Sequence, residues 1–231
     1  MRAILVPNGS IELLKWAGLV LMTGDHVNKY LFNETLPMLY EAGRVCLPVF
    51  LFVLAYNLAR PGALTHHVYE RTMLRLGVFG LLACPPFVLL GGLSQGWWPL
   101  NVLFTLLVVA ATAYLIEKGG AYRWTALATF LIGGVLVEYW WPAVALGLCC
   151  WWYFKNPNAW ALIGALLSCA LLAAVNGNHW ALAAIPLIAL FARANIPASR
   201  IRWMFYVYYP VHLVAIALIR IPMRQAGYLF N

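Results

Sequence analysis

Residues 11–32 read IELLKWAGLVLMTGDHVNKYLF, a run long and apolar enough to cross a bilayer as one helix yet interrupted by Lys15, Asp25, His26 and Lys29. A helix surrounded by lipid does not carry such groups, because each ionisable side chain costs from about 2.5–3.5 kcal/mol upward to insert and normally faces a bundle interior or a wet cavity. The run therefore predicts a membrane helix with one face turned into a helical bundle. No charged start, short apolar core and small-residue cleavage site precedes it, so this span is expected to be retained.

The remainder of the chain describes the same surroundings. Of 231 residues, 64% are apolar, 15% aromatic and 10% charged, against roughly 45–50% apolar and about 25% charged in an average globular protein. That excess excludes a water-soluble domain. At about 20 residues per membrane helix, the length allows eight or nine spans with short loops, which predicts an all-α polytopic bundle forming a single domain over residues 1–231. Any chemistry then sits among the helices.

Further apolar runs follow at Val45–Ala59, Leu76–Leu93, Leu100–Ile116, Trp124–Val137, Tyr139–Phe154, Ala159–Val175, Trp180–Ala192 and Trp203–Ile219. The short segment Tyr139–Phe154, with Pro142 inside it, reads either as a full crossing or as a re-entrant hairpin. Charge decides for the crossing. With nine spans and a cytoplasmic N-terminus, Arg2, Lys15, Arg60, Arg71, Arg75, Lys118, Arg123, Lys155, Arg193, Arg200 and Arg202 lie inside, leaving Lys29, Arg44, Arg220 and Arg224 outside. Without that crossing the asymmetry that sets membrane orientation disappears. The aromatic clusters Trp97-Trp98, Tyr139-Trp140-Trp141 and Trp151-Trp152-Tyr153 then fall near span ends, where amphipathic rings favour the headgroup region.

The net charge of +8 is spread singly between apolar runs, with no RNA-binding pattern, so it reads as a topology signal and nucleic acid is not an expected partner. Cys46, Cys84, Cys149, Cys150 and Cys169 lie in apolar stretches without the spacing of a metal site, and read as small apolar fillers. No metal is expected.

Helical rise places the polar residues in depth. His26 lies about 16 Å outward of Lys15 on the first span, and His212 lies about 15 Å outward of Arg202 on the ninth, which runs the same way. Two histidines thus share one level, and they face each other if these spans are neighbours. Imidazole suits proton transfer near neutrality, although a single intramembrane histidine also serves as an interhelical hydrogen bond. Asp25 points about 100° away from His26 and is placed to pair with Lys29 at i+4 or with Arg44. Arg44 reads equally as an interface anchor or as a binder of phosphate or a developing oxyanion. Tyr56 and Asn57 suit interhelical contacts, His66, His67 and His179 suit solvated turns, and Glu138 is expected to face water.

The run Leu14–Asn28, with Asp25-His26-Val27-Asn28, followed by Gly43-Arg44-Val45-Cys46-Leu47-Pro48 and Tyr56-Asn57-Leu58-Ala59-Arg60, resembles the TraX family of bacterial inner-membrane proteins. The segment Phe205–Leu213, with Tyr209-Pro210-Val211-His212, resembles that family's C-terminal histidine segment. Together these stretches cover about a quarter of the chain. The resemblance implies N-acetylation of a pilin subunit with acetyl-CoA as donor, and kinship with membrane acyltransferases. It marks Asp25, His26, Asn28, Arg44, Asn57 and His212. In that reading His26 is the base and His212 a second acid–base group or oxyanion donor. Arg44 binds an anion, and Arg60, Arg71 and Arg75 are alternative contacts for the CoA phosphates. The competing readings are an O-acetyltransferase acting on an envelope glycan, a transporter or proton relay, and a scaffold for envelope assembly.

Overall fold

The computed structural model describes residues 4–91, 98–193, 201 and 203–230. Helix α1 (Asn8–Leu31) leads into a short turn and then α2 (Pro37–Gly43) and α3 (Cys46–Leu58). Arg44 and Val45 keep helical dihedral angles between these two, so Pro37–Leu58 runs on as one rod. Next come α4 (Val68–Leu89), α5 (Val102–Lys118), α6 (Tyr122–Leu136) and α7 (Trp140–Lys155). The chain continues through α8 (Ala159–Leu171), α9 (Ala173–Asn176), a 3₁₀ turn at Trp180–Ala183, α10 (Ala184–Arg193) and α11 (Met204–Gln225). Counting α2–α3, α8–α9 and the 3₁₀ turn with α10 as single rods, nine rods among the described residues correspond to the nine predicted apolar segments, with Pro37–Leu58 and Val68–Leu89 each starting eight residues earlier than expected.

Four of these rods, Pro37–Leu58, Val68–Leu89, Ala159–Asn176 and Met204–Gln225, are long and apolar enough to cross a membrane. Helix α1 has the length, at 24 residues, but carries the charges that mark it as partly inward-facing. Helices α5, α6 and α7 have 17, 15 and 16 residues, short of the usual span of about 20. The expected segment Tyr139–Phe154 is one unbroken helix from Trp140 to Lys155 rather than a hairpin, because Pro142 sits in its first turn, where the missing N–H has no intrahelical partner to lose. Leu93, Trp97, Arg2, Arg200 and Arg202, and with them part of the charge count, lie outside the described residues.

The centre of the bundle is α3, packed between α1, α5 and α7. It is buried on all sides through Leu47, Val49, Leu51, Phe52, Val53, Ala55 and Leu58, as expected of a helix that is apolar all round. The periphery is the reverse. Leu81 and Leu82 of α4, Leu131 and Ile132 of α6, Leu167 and Leu171 of α8, and Val207, Val211, Val214 and Leu218 of α11 are all exposed. Patches of this extent are not left facing water by soluble monomers, and with the four long apolar rods they support a membrane protein.

Two local devices position the polar interior. At the α5–α6 connection, Gly119 and Gly120 take φ of 70° and 55°, which glycine adopts without a side-chain penalty. At the α6–α7 turn, Leu100 N–H donates to Leu136 O and Glu138 N–H donates to Leu100 O (2.8 and 2.9 Å). Thr105 Oγ1 donates to the Glu138 carbonyl at 2.9 Å. The turn bearing Glu138 is thereby tied to the start of α5.

Candidate active site

Helices α1 and α11 pack against each other and bring the two histidines together. Nδ1 of His26 lies 2.7 Å from Nε2 of His212, with ring planes 1° apart and centroids 5.0 Å apart. The bond and the two ring radii account for that whole separation, so the rings lie edge to edge in one plane rather than face to face. Behind them, His212 Nδ1 lies 2.9 Å from the carbonyl oxygen of Tyr208. A carbonyl only accepts, so His212 Nδ1 carries the hydrogen. In the neutral ring its Nε2 then holds the lone pair, His26 Nδ1 must donate, and the free lone pair of the chain falls on His26 Nε2. That nitrogen has no hydrogen-bond partner among the described residues.

Aromatic neighbours hold this arrangement. Tyr208 stacks on His212 at 5.1 Å, and its hydroxyl meets Thr23 Oγ1 at 2.8 Å. Thr23 Oγ1 itself donates to Leu19 O, so Tyr208 is the donor to Thr23, and a second α1–α11 bond fixes the register. Tyr209 stands edge-on to both imidazoles, at 6.1 Å from His26 and 5.4 Å from His212.

Asp25 pairs with Arg44, Nη2 to Oδ2 at 2.5 Å, with both side chains about nine-tenths buried. Of the two partners the sequence allowed, Lys29 is not the one used. Arg44 also donates from Nε to Tyr40 O and lies over the Tyr40 ring. The close approach depends on Gly43, where an added Cβ would collide with the Asp25 side chain. Gly43→Ala is therefore expected to destabilise the protein by about 1–3 kcal/mol, the usual cost of overpacking, read as a lowered Tm in detergent. A Tm equal to wild type would show that α2 can shift without loss.

Two cavities flank the histidine pair. The larger, of about 560 Å³, falls within the size range of ligand pockets and is bounded by α1, α3, α4, α5 and α11. Asn57, Arg60, Arg71 and Arg75, scattered in sequence, all line it, together with Lys15 and His66. Arg60 is held by Asn8 Oδ1 at 2.7 Å, Arg71 by the carbonyls of His66 and His67, and Arg75 lies over Trp203 at 4.5 Å. None of the three forms a salt bridge with a carboxylate among the described residues. Three guanidiniums held by neutral partners among the described residues give one end of this cavity a positive lining. Its inner part is apolar and reaches Leu19, Met22 and Tyr209, so Tyr209 stands between it and His26.

The smaller cavity, of about 190 Å³, lies on the other side of His26 and is lined almost wholly by polar residues, among them Asp25, Lys29, Glu34, Arg44 and Glu138. The structure corrects the reading of Glu138 as a water-facing residue, for it is half-buried and lines this cavity. The α6–α7 turn folds inward because its hydrogen bonds to Leu100 and Thr105 hold it there. The signal was present in the sequence: an acid inside Val135-Leu136-Val137-Glu138-Tyr139-Trp140 is as costly as Asp25 in α1. Tyr40 and Tyr139, which also line the cavity, carried no such signal.

Asn28 lies apart from both cavities. It is fully buried, and its Oδ1 accepts from Leu36 N–H at 2.9 Å, fastening the turn between α1 and α2. Tyr56 joins α3 to the N-terminal segment through both backbone groups of Val6.

The model of a family described as TraX protein matches residues 10–220. No curated protein and no solved structure matches the chain.

Proposed function

Because the chain belongs to the TraX family, we propose that it is an acetyl-CoA-dependent membrane acetyltransferase that modifies an acceptor amine such as a pilin N-terminus. Family membership fits a conjugation-related, pilin-modifying role. The observation that carries the acetyltransferase reading is the in-plane pair His26–His212 backed by the Tyr208 carbonyl. It leaves one basic nitrogen, His26 Nε2, on a residue that lines a polar cavity, with an arginine-rimmed cavity behind Tyr209.

In this reading the two cavities divide the labour. Arg60, Arg71 and Arg75, with Lys15, hold the phosphates of acetyl-CoA, and the apolar inner part takes its acyl end toward Tyr209. The smaller cavity takes the acceptor. His26 removes a proton as the acceptor attacks, and His212 orients the ring and stabilises the charge it gains, as the third member of a hydrolytic triad does. Asp25 and Arg44 form a neutralised pair beside the base, with the Arg44 guanidinium close to where an oxyanion develops. The arginine-rimmed end faces the cytoplasm, where acetyl-CoA is found. That sets the N-terminus inside and the acceptor cavity on the outer side of the bacterial inner membrane.

The test is transfer itself. Purified protein in liposomes, given acetyl-CoA labelled in the acetyl group and a pilin N-terminal peptide, is expected to move label into the peptide. Label that stays in the thioester, or proton-driven uptake of a solute without transfer, would sink this reading.

A further inference from the structure

The acceptor cavity holds more carboxylates than cations. Asp25, Glu34 and Glu138 line it against Lys29 and Arg44, and Asp25 is already taken by Arg44. Neither Glu34 nor Glu138 has a salt-bridge partner among the described residues. Glu34 is exposed and solvated, whereas Glu138 is half-buried. Its carboxylate lies near the Val102 backbone N–H at the first turn of α5, which favours the charged form, and its backbone is pinned on both sides by Leu100 and Thr105. The α6–α7 turn thus presents, in a fixed position, a carboxylate that no salt bridge neutralises among the described residues. Burial pushes the Glu138 carboxyl up to about 7, and the nearby Lys29 and Arg44 only partly offset this. A cation entering the cavity relieves that desolvation directly.

We propose that Glu138 is the acceptor-specificity residue: its carboxylate holds the ammonium of a primary-amine acceptor beside His26 and makes the site choose an amine over a hydroxyl. The proposal rests on the acetyltransferase reading above. An amine differs from an alcohol in arriving charged and in having two protons to lose. One ammonium proton passes to the Glu138 carboxylate and on to water, freeing the nitrogen lone pair. That lone pair attacks the thioester carbonyl carbon. As the C–N bond forms, the second proton goes to His26 Nε2, and as the C–S bond breaks it moves to the departing sulfur. The products are an amide, a free thiol and one proton. A hydroxyl acceptor uses only His26 and leaves Glu138 desolvated without a partner, which penalises its binding.

The experiment compares a short peptide bearing a free N-terminus with its analogue carrying a hydroxyl in place of the terminal amine, for wild type and Glu138→Gln. Wild type is expected to favour the amine by about 10²-fold or more in kcat/KM. Glu138→Gln is expected to raise the KM for the amine peptide about tenfold to a hundredfold, with the KM for acetyl-CoA near wild type and the kcat/KM for the hydroxyl analogue raised, because the stranded carboxylate that penalises it is gone. In wild type the amine KM rises as pH falls through about 7, because the neutral carboxyl no longer holds an ammonium. In Glu138→Gln it stays flat. The other titratable and charged groups facing the cavity, His26, Asp25, Lys29, Tyr30, Glu34, Tyr40, Arg44 and Tyr139, are common to both proteins, so the difference isolates Glu138. If Glu138→Gln does not fold, the wild-type KM profile and Glu138→Asp, which keeps the charge and the pH dependence, serve in its place. An unchanged amine KM in Glu138→Gln, a flat wild-type profile, or equal use of both acceptors by wild type overturns the proposal. Absence of transfer from wild type to either acceptor brings down the acetyltransferase reading as well, whereas transfer that ignores Glu138 defeats this role alone.

Discussion

His26→Gln is expected to lower acetyl transfer by about 10²–10⁴-fold, the usual contribution of a positioned general base. Glutamine suits the test because its amide N–H can still donate to His212 Nε2, so the α1–α11 contact survives while the basic nitrogen on the cavity side is removed. The Tm in detergent and the KM for acetyl-CoA should stay near wild type, and the loss should appear in kcat. His212→Gln is expected to lose less, because His212 acts through His26, and to alter the pH–rate profile as the ring behind the base no longer shares its charge. Transfer rates equal to wild type in His26→Gln would show that another group removes the proton. A collapse of Tm together with activity would show instead that the pair is a structural link between the two helices.

The largest effect on stability is expected at Asp25. Asp25→Ala leaves the Arg44 guanidinium about nine-tenths buried with the Tyr40 carbonyl and ring as its remaining direct contacts among the described residues. Removing one member of a buried ion pair strands an uncompensated charge and costs about 3–5 kcal/mol. The opposite member behaves alike, so Arg44→Met is damaging for the same reason. The double variant Asp25→Ala, Arg44→Met removes both charges and is expected to be more stable than either single variant. That non-additivity is the mark of a pair in direct contact. Thermal unfolding of the four proteins in one detergent measures it. Additive losses would mean that each residue is held by something other than its partner.

Much of this molecule can be read along the chain, and the reason is local. A helix repeats every 3.6 residues with a constant rise, so the apolar runs locate the rods and the residue count places His26 and His212 at one depth. The cost of burying a charge likewise singles out Asp25 and Arg44 before any helix is packed. Glu138 answered to the same logic, and only its place at the end of a span made it resemble a water-facing residue.

Which rods become neighbours is a different kind of information. The contact of α1 with α11, the choice of Arg44 over Lys29 for Asp25 and the inward fold of the Glu138 turn each join residues far apart in the chain. They depend on how whole helix faces fit, and no local period encodes that. Gly43 shows the difference: in sequence it is one small residue before an arginine, and only in the packed bundle is it the gap through which an aspartate reaches that arginine. The sequence by itself determined the rods, their polar exceptions and the common level of the two imidazoles. The tertiary structure decided that those imidazoles meet in one plane, with an arginine-rimmed cavity behind and an acidic one in front, because side chains on separate helices acquire a geometry only when their backbones are packed.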